Sequence, residues 1–159
     1  MLKKVLSLTV AALLSIGLLS ACGGEDESSA VSLNVDEAAE TLVSQLTFQD
    51  EMLKLEDSVL EKFYDVDPDA VGDIAVYTAT SGVKAEEVAV VQVKDGGSDT
   101  VKAMLDSRLE DQIAKYEGYA PEEMPKLENP VMEEKNGYYF FILADDQDAA
   151  REAIDGLFA

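Results

Sequence analysis

The chain opens with an apolar run that has no period. Val5 to Leu19 is interrupted only by Ser7, Thr9, Ser15 and Gly17, and it follows the short positive segment Met1-Leu2-Lys3-Lys4. This run falls short of the ~20 residues that a membrane-spanning helix needs. A positive start, an apolar stretch and then the small residues Ser20 and Ala21 form the layout of a secretory leader. Next comes Gly23 to Leu33 (GGEDESSAVSL), polar and without periodicity. That composition predicts a flexible tether reaching roughly 20 Å.

Periodicity begins after the tether. Asn34 and Glu37 have the spacing of a capping box, and Ala38, Ala39, Leu42, Val43 and Leu46 recur at helical intervals, predicting a helix over 35–47. A brief extended piece is expected around Met52 to Leu55. A short helix is expected over 58–64, with Val59, Leu60 and Phe63 on one face, and Pro68 falls in a turn. Ile74 to Thr80 and Glu87 to Lys94 are rich in β-branched residues and read as strands separated by Ser81-Gly82. Ser98 is the expected cap of a long helix whose buried face carries Val101, Met104, Leu105, Leu109, Ile113 and Tyr116, and Gly118 stops it. Pro121, Pro125 and Pro130 predict an extended connection over 119–130. Asn136-Gly137 between Val131–Lys135 and Tyr138–Ala144 predicts a hairpin with a type I′ turn. A last helix follows, capped by Asp145 or Asp146 and carrying Ala149, Ala150, Ala153, Ile154 and Leu157.

The order strand-strand-helix therefore occurs twice, over 73–117 and 130–158. The expected fold is α+β: a four-stranded antiparallel sheet made of two β-β-α units, with helices packed on one face, plus the N-terminal helix. The expected organisation is a leader over 1–21, a lipidated N-terminus and tether over 22–33, and one domain over 34–159.

Particular residues along this body resemble a known family. They are Phe48 with Met52, Leu55 through Tyr64, Val76-Tyr77 and Ala85-Glu86-Glu87-Val88-Ala89-Val90, then Arg108 with Gln112, Tyr119-Ala120-Pro121-Glu122 and Gly137-Tyr138-Tyr139. With these the chain resembles lipoproteins carrying the domain of unknown function DUF4358, common in clostridial-type Gram-positive bacteria. The resemblance implies a location and a fold, and it transfers no activity, ligand or catalytic residue.

Leu19-Ser20-Ala21-Cys22 resembles the bacterial lipobox. A thiol is needed to take the diacylglyceryl group, and small residues let the backbone enter the signal peptidase. The resemblance implies a thioether-linked diacylglycerol on Cys22 and cleavage after Ala21. Two acyl chains anchor stably where one would be marginal. Cys22 is the only cysteine in the chain, so no intramolecular disulfide forms.

Charge narrows the partners. The chain carries 33 acids and 12 bases, and removing Lys3 and Lys4 with the leader leaves 33 against 10, a formal −23. Such a surface offers no cluster of bases for nucleic acid and is not drawn to an anionic leaflet, so membrane contact is expected through the lipid alone. It keeps the domain soluble beside a membrane; attraction of cations or of a basic partner is the sharper alternative.

Histidine and tryptophan are absent. Without histidine there is no Ser-His-Asp or Cys-His system, no His general base and no His-ligated zinc. The single thiol is committed to lipid. No phosphate-binding glycine–lysine loop or dinucleotide fingerprint occurs, and Asp95-Gly96-Gly97-Ser98 reads as a turn and helix cap. Asp65, Asp67 and Asp69 match positions 1, 3 and 5 of a calcium loop, but Ala70 and Val76 stand where glycine and glutamate are required, so a solvated turn is expected and no metal. Acid pairs such as Glu86-Glu87 are expected to face solvent. Tyr116, Tyr119 and Pro121 form a candidate recognition surface, the plainer alternative being rings that pack the helix end onto the sheet.

The expected function is that of a non-enzymatic, lipid-anchored extracytoplasmic module that binds an envelope protein or a cell-wall component, with no cofactor beyond the lipid on Cys22. The alternatives are a carboxylate-only hydrolase of wall glycan, and a cation- or solute-binding lipoprotein.

Overall fold

A computed structural model of the chain describes residues 32–159. The leader, Leu19, Ser20, Ala21, Cys22 and the tether through residue 31 lie outside the described residues. Five antiparallel strands form one sheet: β1 Met52–Lys54, β2 Val71–Ala79, β3 Glu87–Val93, β4 Val131–Lys135 and β5 Tyr138–Leu143, in the spatial order β1-β2-β3-β5-β4. The helices are α1 Val35–Gln45, α2 Asp57–Leu60, α3 Ser98–Glu117, α4 Met124–Glu128 and α5 Gln147–Gly156.

The sheet has one strand more than the four expected. β1 is the extended piece foreseen near Met52, paired Met52↔Ala79, Leu53↔Thr78 and Lys54↔Tyr77. The other four strands are two hairpins side by side, joined by Val88↔Ile142 and Val90↔Phe140 across β3 and β5. Asn136 at φ 52° and Gly137 at φ 81° turn the second hairpin, as a type I′ turn requires.

Helices cover both faces of the sheet, not one. α1 and α5 place Val35, Ala39, Leu42, Ala150 and Ile154 on Val88, Val90, Phe140 and Ile142. On the opposite face Leu60, Tyr64, Val101, Leu105, Tyr116 and Leu127 meet Val76, Ala89, Val91, Phe141 and Leu143. The cause is legible in β3 and β5: Val88 to Val91 and Tyr138 to Leu143 are apolar at both parities, so each strand has two faces to remove from water. Full burial of a side chain such as Leu42 or Phe140 stabilises by about 1.5–3 kcal/mol. The repeated strand-strand-helix order thus sends α3 and α5 to opposite sides.

Residues 121–128 are not extended. Pro121 begins a 3-10 turn, Pro121–Glu123, and Pro125 sits in the first turn of α4. Proline is tolerated there because a helix's first N–H groups have no intrahelical partner. The expected cap of α3 also differs. Gly97 holds the cap position without a side-chain bond, and the Ser98 hydroxyl donates to Glu134 at 2.5 Å. A Cβ on Gly97 would stand 2.6 Å from the Ala70 carbonyl oxygen, so that approach demands glycine. α1 and α5 are capped by Asn34 and Asp146, which accept from the N–H of Glu37 and of Ala149, each at 2.9 Å. Leu33 is already tied to the body, its N–H donating to the Tyr138 hydroxyl at 3.0 Å.

Candidate functional site: a cation-lined cleft over two buried glutamates

Glu86 and Glu87 are both buried, against the expectation that they face solvent. Adjacent residues at a strand start point to opposite faces, so each glutamate enters a different polar cluster. Glu87, with 0% of its surface exposed, faces α3 and is met by four donors. The Arg108 Nε and Nη2 donate at 2.9 and 2.6 Å, the Gln112 Nε2 donates at 2.7 Å, and the Tyr64 hydroxyl donates to Oε1. A charge removed from water is tolerable only with donors on every side, and each oxygen here has two. Burial disfavours the Arg108 guanidinium, but the bonds and charge of Glu87 outweigh that and raise its pKa. Burial and the neighbouring Glu87 charge push the Tyr64 phenol well above its usual value, so it stays a donor.

Glu86 accepts the backbone N–H groups of Gln49 and Asp50 at 2.8 and 3.0 Å, and the Lys126 ammonium lies 3.5 Å away. Lys126 is itself buried and donates to Glu123 at 2.8 Å. Glu123 also takes the Lys84 ammonium at 2.8 Å and the Ala85 N–H at 3.0 Å. Burial opposes the Glu123 carboxylate, but the bonds from Lys126, Lys84 and Ala85 prevail and lower its pKa. Two glutamates and two lysines thus tie the Pro121–Glu128 segment to the loop before β3.

Between these clusters a cleft of about 170 Å³ opens, lined by Phe63, Thr78, Lys84, Arg108, Lys115 and Tyr116 among others. Its floor carries three cations in a chain of formal charge −21. Lys84 and Arg108 are paired to glutamates, and among the described residues the Lys115 ammonium meets only the Tyr116 hydroxyl at 3.1 Å and that ring's face at 4.5 Å. Burial, then the positive charge of Arg108, lowers the pKa of Lys115. Arg108 also lies 4.8 Å from the centre of the Phe63 ring.

Exposed apolar side chains accompany the cleft. Among the described residues the large hydrophobic side chains left exposed are Leu53 at 60%, Phe63 at 43%, Val83 at 41% and Tyr119 at 64%. Phe63 lines the cleft, Val83 stands between the lining residues Gly82 and Lys84, and Tyr119 follows Tyr116 at the end of α3. Leu53 pairs with the lining residue Thr78, and directly opposed residues share a sheet face. Two wider hollows, of 510 and 590 Å³, border Asp65–Pro68, but the charged residues lining them are all acidic, Asp65 and Asp67 in one and Asp57, Glu61 and Asp65 in the other. Neither lining offers a cation to an anion.

The residues foreseen as a recognition surface divide. Tyr116 is buried, its hydroxyl donating to the Lys84 carbonyl at 2.6 Å, so it fastens α3 to the loop before β3. Tyr119 and Pro121 are exposed. In the Asp65–Asp69 loop the Asp67 carboxylate accepts the Asp69 N–H at 2.8 Å, a local turn. No group of three or more acidic residues converges as a metal would require among the described residues. No helix of the described residues is long and apolar enough to cross a membrane.

The sequence reading missed Tyr64, Glu86, Glu87, Arg108, Gln112, Glu123 and Lys126 as a constellation. One signal was present: Arg108 and Gln112, four apart, continue the stripe of Val101, Met104, Leu105 and Tyr116 that α3 buries.

The family described as Domain of unknown function (DUF4358) matches residues 44–144. The chain belongs to the DUF4358 family. The DUF4358 match contains the cleft and both glutamate clusters, and α5 falls outside it. No curated protein and no solved structure matches the chain.

Proposed function

We propose that this DUF4358 chain is an extracytoplasmic lipoprotein, held to the cell membrane by a diacylglycerol on Cys22, whose folded body is a non-enzymatic binding or docking module. One observation carries the docking part: the exposed Phe63 lines the cleft, exposed Leu53 pairs with its lining residue Thr78, and exposed Val83 and Tyr119 lie one and three residues from lining residues. Scattered exposed apolar residues are ordinary, whereas a gathered patch rimmed by polar groups marks a contact surface.

Anchoring rests on Leu19-Ser20-Ala21-Cys22 behind an apolar leader. The strong negative charge of the remainder supports attachment by lipid over adsorption to an anionic leaflet. The partner is an envelope protein or a cell-wall component. The hydrolase alternative needs a carboxyl group free to meet substrate. Glu86, Glu87 and Glu123, the acids nearest the cleft, have their oxygens engaged by protein donors.

Fractionation of cells expressing the parent and a Cys22→Ala chain tests the reading. The parent should partition with membrane and be released only by detergent. The Cys22→Ala chain should lose that detergent-dependent association. Equal behaviour of the two chains refutes the anchor.

A further inference from the structure

We infer that the cleft between Phe63, Lys84, Arg108 and Lys115 is a binding site for a single carboxylate borne next to an apolar or aromatic group, about one amino-acid residue in size. The inference deepens the docking reading and rests on it.

The ion pairs within the site leave one lining ammonium without a carboxylate, which suits a single negative charge. Arg108 is paired to Glu87, Lys84 to Glu123, and Lys126 to Glu123, Glu86 and Asp145. Lys115 is the one lining cation with no carboxylate within 4 Å among the described residues. Its ammonium has three protons to donate and one protein acceptor, the Tyr116 hydroxyl. Arg108 lines the same opening with its Nε and Nη2 donating to Glu87. Lys115 therefore presents unfilled donors to a space that the Arg108 and Lys84 cations also line.

A dianionic phosphate would find one uncompensated charge for two. A carboxylate would find one for one, and the guanidinium edge suits its geometry.

Size and lining agree. About 170 Å³ holds roughly six waters, enough for a carboxylate and a few attached atoms and too little for a sugar chain. The Phe63 and Tyr116 rings lie against the Arg108 and Lys115 cations, and exposed Leu53 pairs with the lining residue Thr78. A ligand with its charge at the floor and an apolar group against the rings satisfies both. Two sources share this chemistry: a free small acid with an apolar group and no ammonium, and the C-terminal residue of a peptide.

The test titrates the full chain in detergent with four probes, followed by amide NMR shifts. These are N-acetylphenylalanine, its primary amide, acetyl-Gly-Gly-Phe, and the amide of that tripeptide. Each acid that binds should do so at least tenfold more tightly than its own amide, and Lys115→Gln should reduce the preference to within about twofold, since the unpaired ammonium is removed. Lys115 is exposed on α3, and the acid–amide comparison in the parent chain needs no variant at all. Tighter binding of the tripeptide acid than of N-acetylphenylalanine assigns a peptide end. Binding of N-acetylphenylalanine alone assigns a free small acid. Equal binding of acids and amides, survival of the preference in Lys115→Gln, or no binding by any probe up to about 10 mM overturns the inference. Such a failure leaves the Cys22 fractionation result standing, and failure of the fractionation leaves the acid preference standing.

Discussion

Replacing Arg108 by Met tests the buried cluster with a large expected effect. Met keeps most of the length and apolar contact of the arginine stem and removes the guanidinium. Glu87, with none of its surface exposed, then keeps Tyr64 and Gln112 but loses its counter-charge and two of its four donors. Breaking a buried pair by removing one partner costs about 3–5 kcal/mol, out of a total stability of about 5–15 kcal/mol for a domain. With a urea slope of about 2 kcal/mol/M the unfolding midpoint should fall by roughly 2 M. The converse change should be milder. In Glu87→Gln the neutral side chain still accepts from Tyr64, and the freed guanidinium, 7% exposed, can take water through the cleft, for a cost of about 1–3 kcal/mol. The double variant should be more stable than the sum of the single losses predicts, giving a favourable coupling between the two residues. Urea unfolding of the four proteins, followed by far-ultraviolet circular dichroism, reads all of this. A loss below about 1 kcal/mol in Arg108→Met, or a larger loss in Glu87→Gln, refutes the reasoning.

Other perturbations have defined outcomes. Gly137→Ala forces a Cβ into the left-handed region at φ 81° and should cost about 1–2 kcal/mol in urea unfolding without changing the slope. The Glu123 carboxyl is held below its ordinary value of 4.5, so its contribution is present above that pH and is lost as pH falls through the lower, folded value. Unfolding curves should therefore weaken below about pH 4.5, and Glu123→Gln should flatten that part of the acid limb. The Tyr116 phenol is pushed up to about 12, by burial first and then by the charges of Glu123 and Glu87. In an alkaline absorbance titration, Tyr116→Phe should delete a late-ionising component and cost about 0.5–1.5 kcal/mol of stability through the lost bond to the Lys84 carbonyl.

The sequence displayed elements whose signals are local. Asn136-Gly137 set a hairpin between two apolar runs, Asn34 opened α1, and the spacing Val101, Leu105, Tyr116 marked α3. It hid what depends on tertiary partners. β1 is three residues whose pairing is decided by the edge of β2, and α4 carries prolines that break a helix interior but fit its first turn. Coverage of both sheet faces was encoded in the absence of alternation along β3 and β5, a pattern that is easily taken for strand propensity alone. Glu86-Glu87 looked like solvent-facing acids because acids seldom go inside unpaired. Their partners lie 21 to 40 residues away in sequence at Arg108, Gln112 and Lys126, and no local period announces such distances. The cleft follows from the same long-range convergence, whereas Cys22 and its flanking small residues are a purely local signal.

The most direct measurement for the docking claim is site-specific photo-crosslinking in intact cells from two positions of the anchored chain. Tyr119 is exposed just past α3, its N–H bonded to the carbonyl of the lining residue Tyr116, and Glu40 is exposed on α1, which covers the opposite face of the sheet. A photoreactive residue at 119 should give one dominant crosslinked species, lost in a Lys115→Gln background, while position 40 gives none. The same products from both positions, or none from 119, would contradict the account.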